Sequence, residues 1–420
     1  MMRNSWVIAA ALAALLGGCR PAPTSPSPTL TVPSPSGTAA SPTDVAGCPS
    51  GSTPDQPGDV AQARPALADW ALLAAVDPSG PRIVVGESGF VPEGAGVATV
   101  QSMWTFDLCR NAWTETGDAS LPAPGKRPVL YQFVTSPVDG SVLGMVLGLA
   151  PLWRYDVATP AWRPVEVSGG GSDEAWPMVV LDPADNRLLA FDGNLVTAAA
   201  ANGAIASGVL VLDLPDGAWT PLELADGDRA VTPNTGMQQY AVAYDSAARR
   251  LVLVITPEPS RRGAAAQTWT FDQQAGTWSR GGDVPKTLPN GYPGDGFALA
   301  FDPVTARTWA FGDTAMLGYD ATTYDWVVAE RDAGWPAPML VGGTQVDPVA
   351  RTVRMMVVDA RTGRLIVIGG VVRPAGGPAG GFVPEPGWVE TDDIWAYQPA
   401  ANTWTLLLGP SDAPASYQPG

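Results

Sequence analysis

One nine-residue frame recurs six times along the chain and limits what it can fold into more than any other feature. Trp104, Phe106 and Asp107 are followed by Trp113, nine positions after the first Trp. The frame returns as Trp153, Tyr155, Asp156 and Trp162, as Leu210, Leu212, Asp213 and Trp219, and as Trp269, Phe271, Asp272 and Trp278. Two more copies are Leu317, Tyr319, Asp320 and Trp326, then Trp395, Tyr397, Gln398 and Trp404. Spacing that does not slip over six copies is the signature of a repeat architecture.

A second frame precedes most copies: an apolar run, an Asp, a basic residue five positions later, and another apolar run. The pairs are Asp77 with Arg82, Asp182 with Arg187, Asp245 with Arg250, Asp302 with Arg307 and Asp359 with Arg364. This predicts strand, tight turn and strand, because Asp accepts backbone hydrogen bonds inside a turn and Pro presets its first torsion. The second repeat departs from the pattern. Pro137, Asp139 and Gly140 predict a shorter turn there, with no matching Arg.

Together the frames predict four strands per unit. For the third unit these are 178–181, 188–191, 208–212 and 218–223; for the fourth, 240–244, 251–255, 268–271 and 277–280. Runs rich in Val, Leu, Tyr and Trp between Asp, Pro and Gly are strand signals, and no long 3.6-residue period suggests a helix. The expected class is all-β, with units of about 50 to 60 residues that fit the blades of a β-propeller.

The pattern resembles kelch repeats, whose units carry Gly-Gly after the second strand, Trp-x-Tyr-Asp on the third and Trp on the fourth. Gly369 and Gly370, followed by Trp395, Tyr397 and Trp404, make the last unit the clearest match. Elsewhere Gly86, Gly148, Gly193 and Gly312 stand singly or the Gly is absent, so the resemblance is to a degenerate member of the galactose oxidase/kelch-like class. It implies a propeller over roughly 69–408 and says little about function. Six blades are expected. The interval from Trp326 to Trp404 is 78 residues, against 48 to 59 between the other fourth-strand Trp residues from Trp113 onward. Within it, 340–351 reads either as a long inter-blade hairpin or as part of a seventh blade. The hairpin is preferred, because a seventh blade should carry its own Trp frame.

Ahead of the repeats, Arg3 precedes an apolar run at 6–16, too short to span a bilayer and suited to a signal-peptide core. Leu16, Gly17, Gly18 and Cys19 resemble the bacterial lipobox, which implies a signal peptide over 1–18, lipidation of Cys19 and an exported protein held at the cell membrane by lipid alone, facing the extracytoplasmic side. Residues 19–58, rich in Pro, Ser and Thr, cannot bury enough surface to fold and are expected to form a disordered stalk on the order of 100 Å long if extended. The propeller is assigned to 59–420. If Cys19 carries lipid, Cys48 and Cys109 remain, either as a disulfide or as two free thiols; export favours the disulfide.

A formal charge of −17, from 41 acidic and 24 basic residues, argues against nucleic acid and anionic membrane surfaces as partners. The chain contains no His, which removes Ser-His-Asp and Cys-His mechanisms and the usual zinc and copper sites. No cofactor or metal is expected, and a monomer is. Asp226, Gly227 and Asp228 are too few oxygens for calcium.

Turns one to two and three to four have nearly fixed length and lie on one face of a propeller, whereas the connections on the other face vary widely. Long loops on a rigid scaffold carry binding residues more often than short turns do. The candidates there are the aromatics Trp176, Tyr292, Trp335 and Trp388, the adjacent Arg261 and Arg262, and Glu385 and Glu390, with Arg331 and Arg373 as further charges. The leading expectation is a binding or interaction module for a glycan or protein, with no catalytic residue assigned. A carboxylate- and Arg-dependent enzyme, similar to the kelch-type sialic acid mutarotase, is the alternative from another class. A passive envelope scaffold is the third.

Overall fold

In the computed structural model the six repeats form six antiparallel sheets, each with a four-stranded core, arranged as a six-bladed β-propeller. The structure describes residues 48, 52, 56–59 and 61–65, and then 72–411 except 78–79, 91–97, 119–129, 137–138, 147–148, 150, 170–176, 194, 197–205, 215–216, 226–231, 234–239, 257–264, 286–297, 312–314, 332–334, 353–354 and 376–387. The expected signal peptide, Cys19 and most of the expected stalk lie outside these residues.

Blade one is β1 (Leu72–Asp77), β2 (Arg82–Phe90), β3 (Ala98–Asp107) and β4 (Ala112–Asp118). Blade two is β5 (Leu130–Thr135), β6 (Val142–Val146), β7 (Leu152–Asp156) and β8 (Ala161–Val165). The chain then adds β9 (Val167–Gly169) in parallel to the outer edge of the next blade, covering an otherwise open strand. Blade three is β10 (Met178–Asp182), β11 (Arg187–Phe191), β12 (Val209–Asp213) and β13 (Gly217–Pro221). Blade four is β14 (Tyr240–Asp245), β15 (Arg250–Ile255), β16 (Gln267–Asp272) and β17 (Thr277–Arg280). Blade five is β18 (Leu299–Asp302), β19 (Arg307–Phe311), β20 (Ala315–Asp320) and β21 (Asp325–Glu330). A hairpin, β22 (Met339–Val341) and β23 (Thr344–Thr352), comes before blade six, which is β24 (Met355–Asp359), β25 (Arg364–Pro374), β26 (Val389–Gln398) and β27 (Thr403–Leu408). The 78-residue interval is therefore a hairpin added to blade six. The first strands of successive blades are neighbours around the ring, and β24 meets β1 to close it.

The nine-residue frame has a direct structural cause. Its third and last positions face each other across β-strands three and four, pairing Phe106 with Trp113, Tyr155 with Trp162, Phe271 with Trp278, Tyr319 with Trp326 and Tyr397 with Trp404. Ring centroids in these five pairs lie 4.9 to 5.1 Å apart, and each pair contributes about 0.5–1.5 kcal/mol beyond its buried area. The fourth-strand Trp also ties blades together. Trp219 Nε1 donates to the Leu149 carbonyl at 3.0 Å, and Trp278 Nε1 to the Ser207 carbonyl at 2.9 Å, each in the preceding blade. Trp326 Nε1 reaches Thr268 Oγ1 at 2.9 Å in blade four. Burial follows the stacking. A middle strand such as β15 is buried along most of its length because blades cover both faces, whereas outer β13 buries Trp219 alone.

The Asp frame makes Asx turns. Asp245 Oδ1 accepts the amides of Ala247 and Ala248 at 3.0 and 2.8 Å, and Asp156, Asp272 and Asp320 do the same for the second and third residues after them. The fourth residue after Asp turns left-handed, as at Asn186, Arg249, Ala306, Gly363 and Tyr324. Blade two differs from the sequence expectation. Ser136 N donates to the Ser141 carbonyl at 2.8 Å and Gly140 has φ 72°, so its turn is as long as the others, with Ser136 and Ser141 in the places of Asp and Arg.

Blades one and six are each built from contiguous chain, and a separate N-terminal segment binds across their seam. Gly58 N donates to the Leu407 carbonyl at 2.7 Å, Arg64 Nη1 to the Gly409 carbonyl at 2.9 Å, and Arg64 pairs with Asp392 at 3.1 Å. On the blade-one side, Gln62 Oε1 accepts the Trp113 amide at 2.6 Å and Asn111 Nδ2 donates to the Gln56 carbonyl at 2.7 Å. Cys48 and Cys109 form a disulfide with Cα atoms 5.5 Å apart, fixing this segment to the β3–β4 turn. Closing its 61-residue separation contributes about 4 kcal/mol by chain entropy.

Candidate functional site

The loop-bearing face carries a raised sheet built on blade six. Strands β25 and β26 run past the blade, and their far halves pair with each other and with the β22–β23 hairpin. Register breaks fall between Ile368 and Gly370 and between Asp347 and Arg351, where the extension meets the blade. Gly369 and Gly370 have φ of 57° and 117° there, the second a conformation close to glycine-only. Val341, Val346, Val372 and Val389 form the extension's own core, and Trp388 packs on Val371.

A buried ion pair holds the junction. Arg351 and Asp393 are 1% and 0% exposed and meet in a bidentate arrangement at 2.7 and 2.9 Å. Arg351 also donates to the carbonyls of Gly369, at 3.1 Å, and Pro348, while Asp393 Oδ2 accepts Trp395 Nε1 at 2.7 Å. Charges taken this far from water persist only when paired and hydrogen-bonded on most sides, as these are. Arg331 adds a tie from the end of β21, pairing with Asp347 and donating to the Pro336 carbonyl at 2.8 Å. Leu340, on the extension's edge strand β22, is 70% exposed.

The sequence candidates that fall among the described residues divide between the seam of blades five and six and the raised sheet. Trp335 is buried: its indole donates to Asn402 Oδ1 in the β26–β27 turn at 2.9 Å, and its ring meets Tyr397 and Trp404 at 6.2 and 5.8 Å. It wedges between blades five and six and is not an open aromatic platform. Trp388 is buried in the raised sheet, and Glu390, half-buried, stands opposite Val371 on the same sheet. Arg373 lies there too, paired in register with Asp347. Trp176, Arg261, Arg262, Tyr292 and Glu385 lie outside the described residues, as do Asp226, Gly227 and Asp228. Among the described residues, no group of three His, Cys, Asp or Glu could hold a metal ion, and no helix is long and apolar enough to cross a membrane.

The opposite, turn-bearing face holds features that sequence reasoning treated as structural only. Between blades three and four, Gln273 Nε2 bridges Asp182 Oδ2 and Tyr244 Oη, both at 2.7 Å, while Arg249 pairs with Asp185 and lies 3.8 Å from Asp182. Burial, reinforced by Asp182, drives the Tyr244 hydroxyl well above the usual tyrosine range. Beside the turns of blade two the surface is indented. A cavity of about 360 Å³ is lined by Asp77, Arg82, Asp139, Gly140, Arg154 and Arg163, with Ser141, Asp156, Val157, Ala158, Pro164 and Val165 completing the wall. Asp77 pairs with Arg82 at 2.7 Å and Asp139 with Arg154 at 3.2 Å. Burial alone would raise the Asp139 carboxyl, but Ser141, Ser136 and Arg154 together bring it below the ordinary 3.8. For Asp156, the Thr159 hydroxyl and the amides of Thr159 and Ala158 lower it.

No family model matches this chain, and no curated protein matches it in sequence. Among solved structures it is similar to a chain of the crystal structure of a nidogen/laminin complex, at 10% identity and TM-score 0.39 over 80% of this chain and 96% of that one. It is also similar to a chain of a structure of YCF48 bound to D1 peptide, at 12% identity and TM-score 0.36 over 70% and 73%.

Proposed function

We propose that this protein is a lipid-anchored, extracytoplasmic propeller of degenerate kelch type that serves as a binding or interaction module, taking a glycan or protein on its loop-bearing face. The observation that carries this reading is the contrast between the two faces. The turn face consists of hairpins whose Asp side chains are held in their own turns or by the neighbouring blade, whereas the other face bears connections of varied length and a raised sheet fixed by Arg351 and Asp393. Rigid scaffold with variable connections is the usual arrangement of a recognition surface. The disulfide supports the same reading: Cys48, within the expected stalk, is bonded to the β3–β4 turn on the turn-bearing face rather than to the loop face.

The test is a thermal-shift screen of the full chain against neutral sugars, sugar acids and short peptides, since a ligand at a hundred times its dissociation constant stabilises by about 2.7 kcal/mol. A shift that Glu390→Ala or Leu340→Ser weakens supports the reading. A shift that neither these nor other loop-face substitutions alter contradicts it.

A further inference from the structure

The seam between blades six and one, where the ring closes, is bridged by a segment that belongs to neither blade. The fourth-strand Trp of blades three, four and five donates its indole N–H to the blade before it. Trp162 and Trp404 make no such bond among the described residues, but other groups tie their blades back: Tyr155 Oη shares a 2.8 Å hydrogen bond with Thr116 of blade one, and Asn402 Nδ2 donates to the Glu330 carbonyl of blade five at 3.1 Å. At Trp113 the indole nitrogen is likewise buried without a partner among the described residues. Beneath the seam lies an apolar cluster shared by both blades, with Ile83 and Trp104 from one and Ile366 and Leu407 from the other. Above it, the N-terminal segment takes up outward-facing backbone groups of both outer strands. Gly58 N donates to the Leu407 carbonyl of β27, and Gln62 Oε1 accepts the Trp113 amide of β4.

The two ends of this segment are held unequally. Its far end is fixed by Arg64, whose side chain is 8% exposed, pairs with Asp392 at 3.1 Å and donates to the Gly409 carbonyl at 2.9 Å. Ahead of Arg64, Gln56, Pro57, Asp59 and Ala61 are exposed, and Gly58 lies so close to the β3–β4 turn that a Cβ would stand 1.9 Å from the Asn111 carbonyl oxygen. The net gain from a hydrogen bond is comparable with the cost of ordering one residue. The contacts of Gly58 and Gln62 therefore hold this arm in place only while Cys48 is bonded to Cys109. We propose that the arm from Cys48 to Gln62 is a redox-released clasp: reduction of the bridge frees it to swing about Arg64 and bares the outer edges of β4 and β27 at the seam. Cys109 is 2% exposed and Cys48 only half-buried, so a dithiol reductant reaches the bridge at Cys48. Its thiolate bonds to the Cys48 sulfur, and Cys109 leaves as a thiolate and takes a proton. The second thiol then displaces Cys48, so that two electrons pass to the pair and the reductant ends as a disulfide. The clasp is independent of the loop-face reading above.

Hydrogen exchange at the Gly58 and Trp113 amides tests the device, read on the full chain carrying Cys19→Ala so that Cys48 and Cys109 are its only sulfur pair. Reduction with dithiothreitol should speed both amides about tenfold or more, the loss of one hydrogen bond's net contribution, and by a larger factor than it speeds β15 and β16. Oxidised glutathione should then restore slow exchange. Cys48→Ser should show the reduced rates without any reductant. Gln62→Ala, with the bridge intact, should speed Trp113 and leave Gly58 slow, which separates the contact from the bridge. Unchanged exchange at both amides on reduction overturns the proposal. So does an acceleration no greater than that of β15 and β16, which would make the bridge a brace for the whole fold, or a failure of the oxidant to restore protection. Slow exchange at Trp113 in Cys48→Ser or in Gln62→Ala overturns it as well.

Discussion

Replacing Asp393 with Asn leaves the Arg351 guanidinium buried without its counter-charge. Removing one partner of a buried, hydrogen-bonded pair costs about 3–5 kcal/mol. The lower end applies here, because Arg351 keeps its bonds to the Gly369 and Pro348 carbonyls and the Asn oxygen still accepts one donor. That oxygen cannot serve Arg351 as a bidentate partner while also holding Trp395 Nε1, as Asp393 does now. About 3 kcal/mol corresponds to roughly a hundredfold faster opening of the raised sheet. Six blades need not unfold in one step, so a global denaturation curve is a poor probe. Amide hydrogen exchange read peptide by peptide is better, because it reports local opening directly. Exchange in β23 and the far half of β25 should accelerate by that factor while β15 and β16 stay unchanged. The double variant Arg351→Met with Asp393→Leu should recover most of the loss, because an apolar pair carries no desolvation cost. An acceleration below about threefold in Asp393→Asn would refute the claim that this pair fixes the extension to the blade.

Reducing the disulfide, or Cys48→Ser, should destabilise by at most about 4 kcal/mol, read as a lower melting temperature; equal melting with and without reductant would remove the link from the fold's energetics. Trp278→Phe keeps the stacking on Phe271 but deletes the donor to the Ser207 carbonyl, and should cost about 1–2 kcal/mol in chemical denaturation, against about 3–5 for Trp278→Ala. Asp139 has a lowered carboxyl, so its contribution is complete above the unfolded value near 3.8 and is lost as pH falls through the folded one. Asp139→Asn should therefore destabilise at neutral pH, with the gap from the native chain closing under strong acid. Asp245 runs the other way: burial raises its carboxyl despite the amides of Ala248 and Ala247, so ionisation penalises the fold above the unfolded value. Asp245→Asn should lose little or gain stability at neutral pH and show no gain in acid. Cys19→Ala should release the protein from the membrane fraction; unchanged detergent partitioning would refute the anchor.

The Trp frame made the fold legible because one contact is repeated: a third-strand aromatic against a fourth-strand Trp, at a spacing that a fixed-length turn enforces. The Asp turns were legible for the same reason. Blade two was misjudged because Ser136 and Ser141 fill the Asp and Arg places without resembling them, and turn length is set by backbone bonds that no side chain reports. Trp335 stood outside the frame and read as a loop aromatic, although its partner, Asn402, lies 67 residues away. Arg351 and Asp393 belong to no sequence frame and were not singled out; the one local clue is an Asp two residues before a frame Trp, whose indole it accepts.

The most direct test of the loop-face assignment is hydrogen exchange on the full chain with and without the sugar, sugar acid or peptide that raises its melting temperature most. The account predicts that protection falls on the connections of the loop-bearing face and on the β22–β23 sheet, with the Asp turns unchanged. Protection confined to the Asp turns, or none beyond uniform slowing, would contradict it.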